Sequence, residues 1–206
     1  YKATPGPPFY DAPGKAERVR RDYWQAVSDV MIANFYQPLV DWAAKNRLLA
    51  RVQGHGAPAD VLKIYGLASI PDTEDLYAGG TDDFLKCAAS AANLYGRRIV
   101  ASESFAQPGD AFATTPESIQ HGADRFFTAG VNQIVHHGFP YEYMDRPEPG
   151  WHPFSSPLPF STHLNHHNPI WPRLKPLNDY ITRIQYVSQA GSTVVPVAVY
   201  RDELAY

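Results

Sequence analysis

Apolar positions along the chain fall into two rhythms. From residue 16 to 46 they recur every three or four places: Val19, Tyr23, Val27, Val30/Met31, Leu39, Trp42, Ala43. Charges fill the opposite positions, which predicts a surface helix with one stripe on a core. Pro38 is expected to kink or split it. Three short apolar runs follow a strand rhythm: 48–53 (LLARVQ), 97–102 (RRIVAS) and 131–137 (VNQIVHH). The first closes on Gly54-His55-Gly56 and the second ends at Glu103. A fourth strand is expected at Val194–Tyr200.

Helices are predicted between these runs. Residues 57–66 read as a short helix, and 69–80 (SIPDTEDLYAGG) as a polar loop. Thr81 could cap a helix that runs to Tyr95 and stops at Gly96. Thr114 or Thr115, with Pro116 and Glu117, opens another that passes Phe126 and Phe127 and stops near Gly130. Residues 176–190 form the last helix. Residues 1–14 read as a Pro/Gly-rich loop, and 138–175 as a long loop rich in Pro, His and Trp, of a length that is usually functional. Helices alternating with strands imply a parallel sheet with right-handed crossovers, which binds ligands at the carboxyl ends of its strands. Those ends carry Gln53 and His55, then Glu103, then His136 and His137. No G-x-G-x-x-G follows a strand, so a dinucleotide-binding fold is the weaker reading. A complete (β/α)8 barrel needs about 250 residues, and only about half of one fits in 206.

Composition narrows the chemistry. The formal net charge is −3, which argues against a polyanion partner. No apolar run is long enough to span a membrane. Pro (19 residues), His (8) and aromatics (13%) are enriched. That suits ordered loops around a cleft whose aromatic faces stack on sugar rings; an aromatic-rich core would look the same. The single cysteine, Cys87, lies in an apolar helical stretch and reads as a buried small hydrophobe. The chain begins at Tyr1 without a signal-peptide pattern and is expected to be part of a longer one.

Glu103 is the most informative residue. A carboxylate held at the end of an apolar strand, in IVASESF, can serve as general base or nucleophile. It could also be a structural partner of Arg97 or Arg98. The Gln53-Gly54-His55-Gly56 turn offers hydrogen-bonding side chains, or is only a capping turn. Asp72 and Glu74 could supply a metal ligand, a substrate hydrogen bond or an acid, or stay solvated. Of the adjacent His136 and His137, only one can face the mouth of the sheet. A zinc site lacks support, because there is no H-E-x-x-H and no cysteine pair. His163, His166 and His167 with Asn165 and Asn168 could line the cleft. Trp151 and Trp171 read as sugar platforms or loop anchors. Neither a G-x-S-x-G elbow nor a P-loop lysine motif is present.

Four ordered runs carry a resemblance: RVQGHGAPADVLKIYGLASIPDTE, KCAASAANLYGRRIVASESF, TTPESIQHGADRFFTAGVNQIVHHGFPY and LNDYITRIQYVSQAG. Together they resemble glycoside hydrolase family 106, the α-L-rhamnosidases, over residues 16 to 200. The resemblance implies a (β/α)8 barrel, an inverting mechanism with two glutamates, and calcium in the sites of several members. The chain would hold roughly strands six to eight: residues 1–190 as a partial barrel, and residues 191–206 as the first strand of a following domain. Glu103 would be the general base. The general acid would lie before Tyr1, with Glu74 as a fallback acid. Inverting enzymes hold the two carboxyls about 6.5–9.5 Å apart and retaining ones about 5–5.5 Å.

The resemblance further implies that Gln53, His55, Glu74 and His136 or His137 bind substrate hydroxyls, while Tyr141 and Trp151 shape the pocket. Partners would be a rhamnosylated glycan and the remainder of the longer chain, with neither nucleic acid nor membrane. No metal ligand is identified. The compartment is open, with a secreted or periplasmic location compatible. By itself the chain would lack a closed sheet and an acid and would not turn over substrate. Two alternatives are a retaining β-galactosidase-like barrel with Glu103 as nucleophile, and a non-catalytic carbohydrate-binding domain.

Overall fold

In the computed structural model the described residues are 16–110, 112–139 and 160–200. Four short strands form one parallel sheet: β1 (Arg51–Gln53), β2 (Ile70–Glu74), β3 (Ala101–Ser104) and β4 (Gln133–His136). Their order in space is their order in the chain. Gln53 lies beside Asp72, Glu74 beside Glu103, and Ser104 beside His136. Right-handed crossovers that always advance in one direction leave every connecting helix on the same face. A doubly wound sheet would need a reversal of strand order, and none occurs among the described strands.

The connections are α3 (Val61–Leu67), α4 (Asp82–Leu94) and α5 (Pro116–Thr128), and α6 (Trp171–Ala190) follows β4. One apolar cluster runs through all four, including Tyr65, Phe84, Ile119, Phe126 and Leu177. Full burial of such side chains contributes about 1.5–3 kcal/mol each. Small residues set the spacing. Ala88, Ala91 and Ala92 are buried on α4, and a Cβ at Gly122 would sit 3.0 Å from the Phe105 ring, so glycine lets α5 close on it. Helix α5 starts as expected: Thr115 and Ser118 exchange hydrogen bonds as a capping box, with Pro116 in the first turn.

The N-terminal helical stretch is α1 (Ala16–Met31), a π-helical turn (Ile32–Tyr36) and α2 (Gln37–Lys45). Pro38 cannot donate to the carbonyl of Asn34, and the widened turn just ahead of it absorbs the mismatch, with Gln37 N–H bonding to Ile32. Tyr36 and Ala43 pack on Val52 and Ile64. Met31 packs beside them, but four positions of the expected stripe do not face a core: Tyr23, Val30, Leu39 and Trp42 are exposed. The π turn shifts the apolar row of α2 relative to that of α1.

Three further expectations change. Residues 69–80, read as a loop, contain β2, one of the two interior strands of the sheet. Its Pro71 is tolerated because the ladder does not need its missing N–H. Ile70 N–H bonds to Ala50 on the β1 side, so the Pro71 position faces Val100. Val100 spends its own N–H and carbonyl on Asn132 and Gln133. Helix α6 begins at Trp171 rather than 176, with Pro172 in its first turn. The run Val194–Tyr200 forms no strand among the described residues. It is exposed chain with no neighbour to complete a ladder.

Candidate active site

Side chains on the sheet face opposite the helices form a polar stack. At its base Arg51 Nε lies 3.2 Å from Asp72 Oδ2. Above it, Gln53 Nε2 donates to Glu103 Oε2 at 2.8 Å, and His137 Nδ1 meets Glu103 Oε1 at 2.7 Å. Gln53, Glu103 and His137 are stepped by two places from one strand to the next, which keeps all three side chains on the same face of the sheet. Beside them His55 Nε2 meets Glu74 Oε1 at 2.9 Å, and His55 Nδ1 lies 3.2 Å from the Tyr65 hydroxyl.

Electrostatics separates the carboxyls. The hydrogen bond from His137 holds Glu103 below the usual glutamate range; partial burial opposes it, and the Gln53 amide adds to the lowering. The side chain keeps 36% of its surface exposed, which admits a water molecule. Asp72 behaves in the opposite way. Burial pushes it up to about 6, Arg51 pulls it down, and Glu103 pushes it up again. Its Oδ1 has no hydrogen-bond partner among the described residues. Burial also raises Tyr65 far above the usual phenol range. Tyr65 therefore keeps its proton, and its hydroxyl and the Glu74 carboxylate hold the two ring nitrogens of His55 between them. Tyr77 and Phe84 enclose the His55 ring at 5.1 and 5.0 Å between centroids.

The α-L-rhamnosidase family model matches residues 9–205 of the chain. The chain belongs to glycoside hydrolase family 106. A Formosa agariphila protein named "Putative beta-glucuronidase" is 29% identical over 192 residues, covering 91% of this chain and 16% of that protein. The solved rhamnosidase from Novosphingobium sp. PP1Y shares the fold, with a TM-score of 0.66 and 22% identity over 86% of this chain and 17% of that one. The family-106 chain therefore spans about one sixth of the length of these proteins.

In this family-106 chain, Gln53, His55, Glu74, Glu103 and His137 share one mouth. His136 does not. It turns to the helix side, against the Phe105 ring at 5.1 Å, where burial lowers its proton affinity. Asp72 is a buried strand residue rather than part of an acidic loop. Arg97 and Arg98 lie at the opposite end and cap the carbonyls of Gly66 and Gln189, so neither holds Glu103. His163 stacks on Phe112, Asn168 donates to the His163 carbonyl, and Trp171 packs edge-on to Phe139. Tyr141 and Trp151 lie outside the described residues. Cys87 is buried, as expected.

Three residues of the site had no signal in the sequence. Arg51 is an ordinary strand residue until Asp72 is known to be its neighbour. Tyr65 sits in a helix whose inward face is not marked by spacing. Asp75 is the third acid of D-T-E-D and looks solvated, yet both its oxygens accept backbone N–H groups, from Phe105 and Ala106.

Proposed function

We propose that this chain is part of a (β/α)8 barrel of an inverting α-L-rhamnosidase, with Glu103 as general base. What supports the barrel is the one-way strand order, with helices on one face and charged residues on the other. The single observation that carries the chemistry is the Glu103 carboxylate at the carboxyl end of β3. It is held ionised by His137 and Gln53 and open to solvent on its remaining side.

Glu103 takes a proton from water while that water's oxygen bonds to the anomeric carbon. The glycosidic bond breaks, and the departing oxygen receives a proton from a general acid supplied before Tyr1. His137 and Gln53 keep the carboxylate aimed. The His55–Glu74 pair, steadied by the Tyr65 hydroxyl, presents polar atoms to substrate hydroxyls. The described residues contain no group of three or more His, Cys, Asp or Glu suited to hold a metal ion. Calcium is implied by the family resemblance alone, and no step runs through it. Residues 191–206 lead into a following domain.

Proton NMR of the first-formed sugar, in the full-length protein acting on an aryl α-L-rhamnoside, tests this reading. The β-anomer is expected; the α-anomer would reject inversion. A second reading draws on the β-glucuronidase name of the Formosa agariphila relative. It is a retaining glycosidase of another sugar, with Glu103 as nucleophile. Trapping of Glu103 by a fluorinated glycoside would favour it.

A further inference from the structure

Phe105, two residues beyond Glu103, has a φ of 72°, a conformation that a large L side chain rarely adopts. Its ring is fully buried, against Phe126 at 6.1 Å and His136 at 5.1 Å. Side chains fix its backbone on both sides. Phe105 N–H donates to Asp75 Oδ2 at 2.9 Å, and Ala106 N–H to Asp75 Oδ1 at 3.1 Å. The Phe105 carbonyl accepts from the buried Thr162 hydroxyl. A two-oxygen clamp on consecutive amides is what a sharp turn requires, and this turn leads directly out of the strand that carries Glu103.

We propose that Asp75 is a positioning residue that holds the Glu103 carboxylate against Gln53 and His137 by clamping the chain just beyond it. Thr162 secures the same turn from the other side. The inference rests on Glu103 being the base. Asp75 directly follows Glu74, so one short segment carries both the partner of His55 and the clamp on the Glu103 strand. Glu74 is the charged neighbour of Asp75; burial raises the Asp75 carboxyl above its ordinary range, and the two amides that donate to it oppose that only in part. Around Glu103 stand His137, Gln53, Arg51 and Asp72. Replacing Asp75 by Asn leaves one acceptor oxygen and turns an N–H₂ toward the other amide. The turn then relaxes and Glu103 drifts from its two donors.

The test uses the full-length protein and an aryl glycoside that the wild type hydrolyses. Asp75→Asn and Thr162→Val are compared with Glu103→Gln. Asp75→Asn is expected to lower kcat about a hundredfold, the cost of a misplacement near 1 Å, with KM changed by less than about threefold. The acidic limb of its pH profile is expected to move upward, because Glu103 loses hydrogen bonds that favour its charge. Thr162→Val should move both readouts in the same direction. If folded variants keep the wild-type kcat and acidic limb, the clamp is overturned. If Asp75→Asn does not fold, Thr162→Val decides by the same two readouts. If Glu103→Gln keeps wild-type turnover, the base assignment falls and the clamp falls with it.

Discussion

Asp72 carries a cost that can be measured. Burial raises its carboxyl from 3.8 to about 6, even with Arg51 beside it. A rise of that size is worth about 3 kcal/mol of stability. The folded pKa lies above the unfolded one, so the folded state prefers the neutral acid. Stability from this group is intact below pH 3.8, falls as the pH rises toward 6, and stays low above it. Asp72→Asn keeps the shape and removes the charge. Chemical denaturation of full-length wild type and variant, side by side from pH 4 to 7, reads the difference. The variant should gain on the wild type by about 3 kcal/mol between pH 4 and 6 and hold a constant lead above that. A gap that does not change with pH would refute the account of a charge forced into the sheet.

His137→Ala removes the strongest of the bonds that hold Glu103 ionised, so the acidic limb of kcat against pH should move upward toward the ordinary glutamate range. Gly54→Ala would place a Cβ 2.8 Å from Ile64 Cγ2 between the site residues Gln53 and His55. It should cost about 1–3 kcal/mol, read as a lowered denaturation midpoint. Thr115→Ala removes the acceptor for Ser118 N–H at the start of α5 and should cost about 0.5–2 kcal/mol in the same assay.

The strand ends that build the site differed in how far residue type exposed them. Glu103 was legible because apolar residues lead into it, and the Gln53-Gly54-His55-Gly56 turn because two glycines interrupt a strand pattern. Strand β2 was hidden. Its Asp72 and Glu74 lie on the charged face and its Pro71 and Thr73 on the helix face, so no apolar alternation survives. Such a strand is tolerated because Arg51 and His55, distant in sequence, give its acids partners. Alternation did show that just one of His136 and His137 could face Glu103; which one depended on the register with Ser104. The opposite error arose at Val194–Tyr200, where strand-like composition meets no neighbouring strand among the described residues, and along α1 and α2, where a π turn breaks the three-to-four spacing.

The account stands on the chemistry of one carboxylate, and the turnover of full-length Glu103→Gln on an aryl α-L-rhamnoside measures it most directly. Glutamine fills the same space and can hydrogen-bond Gln53 and His137, but it cannot take a proton from water. A fall in kcat of about 10²–10⁴-fold with the fold intact is the expected result. Turnover close to that of the wild type would contradict the account.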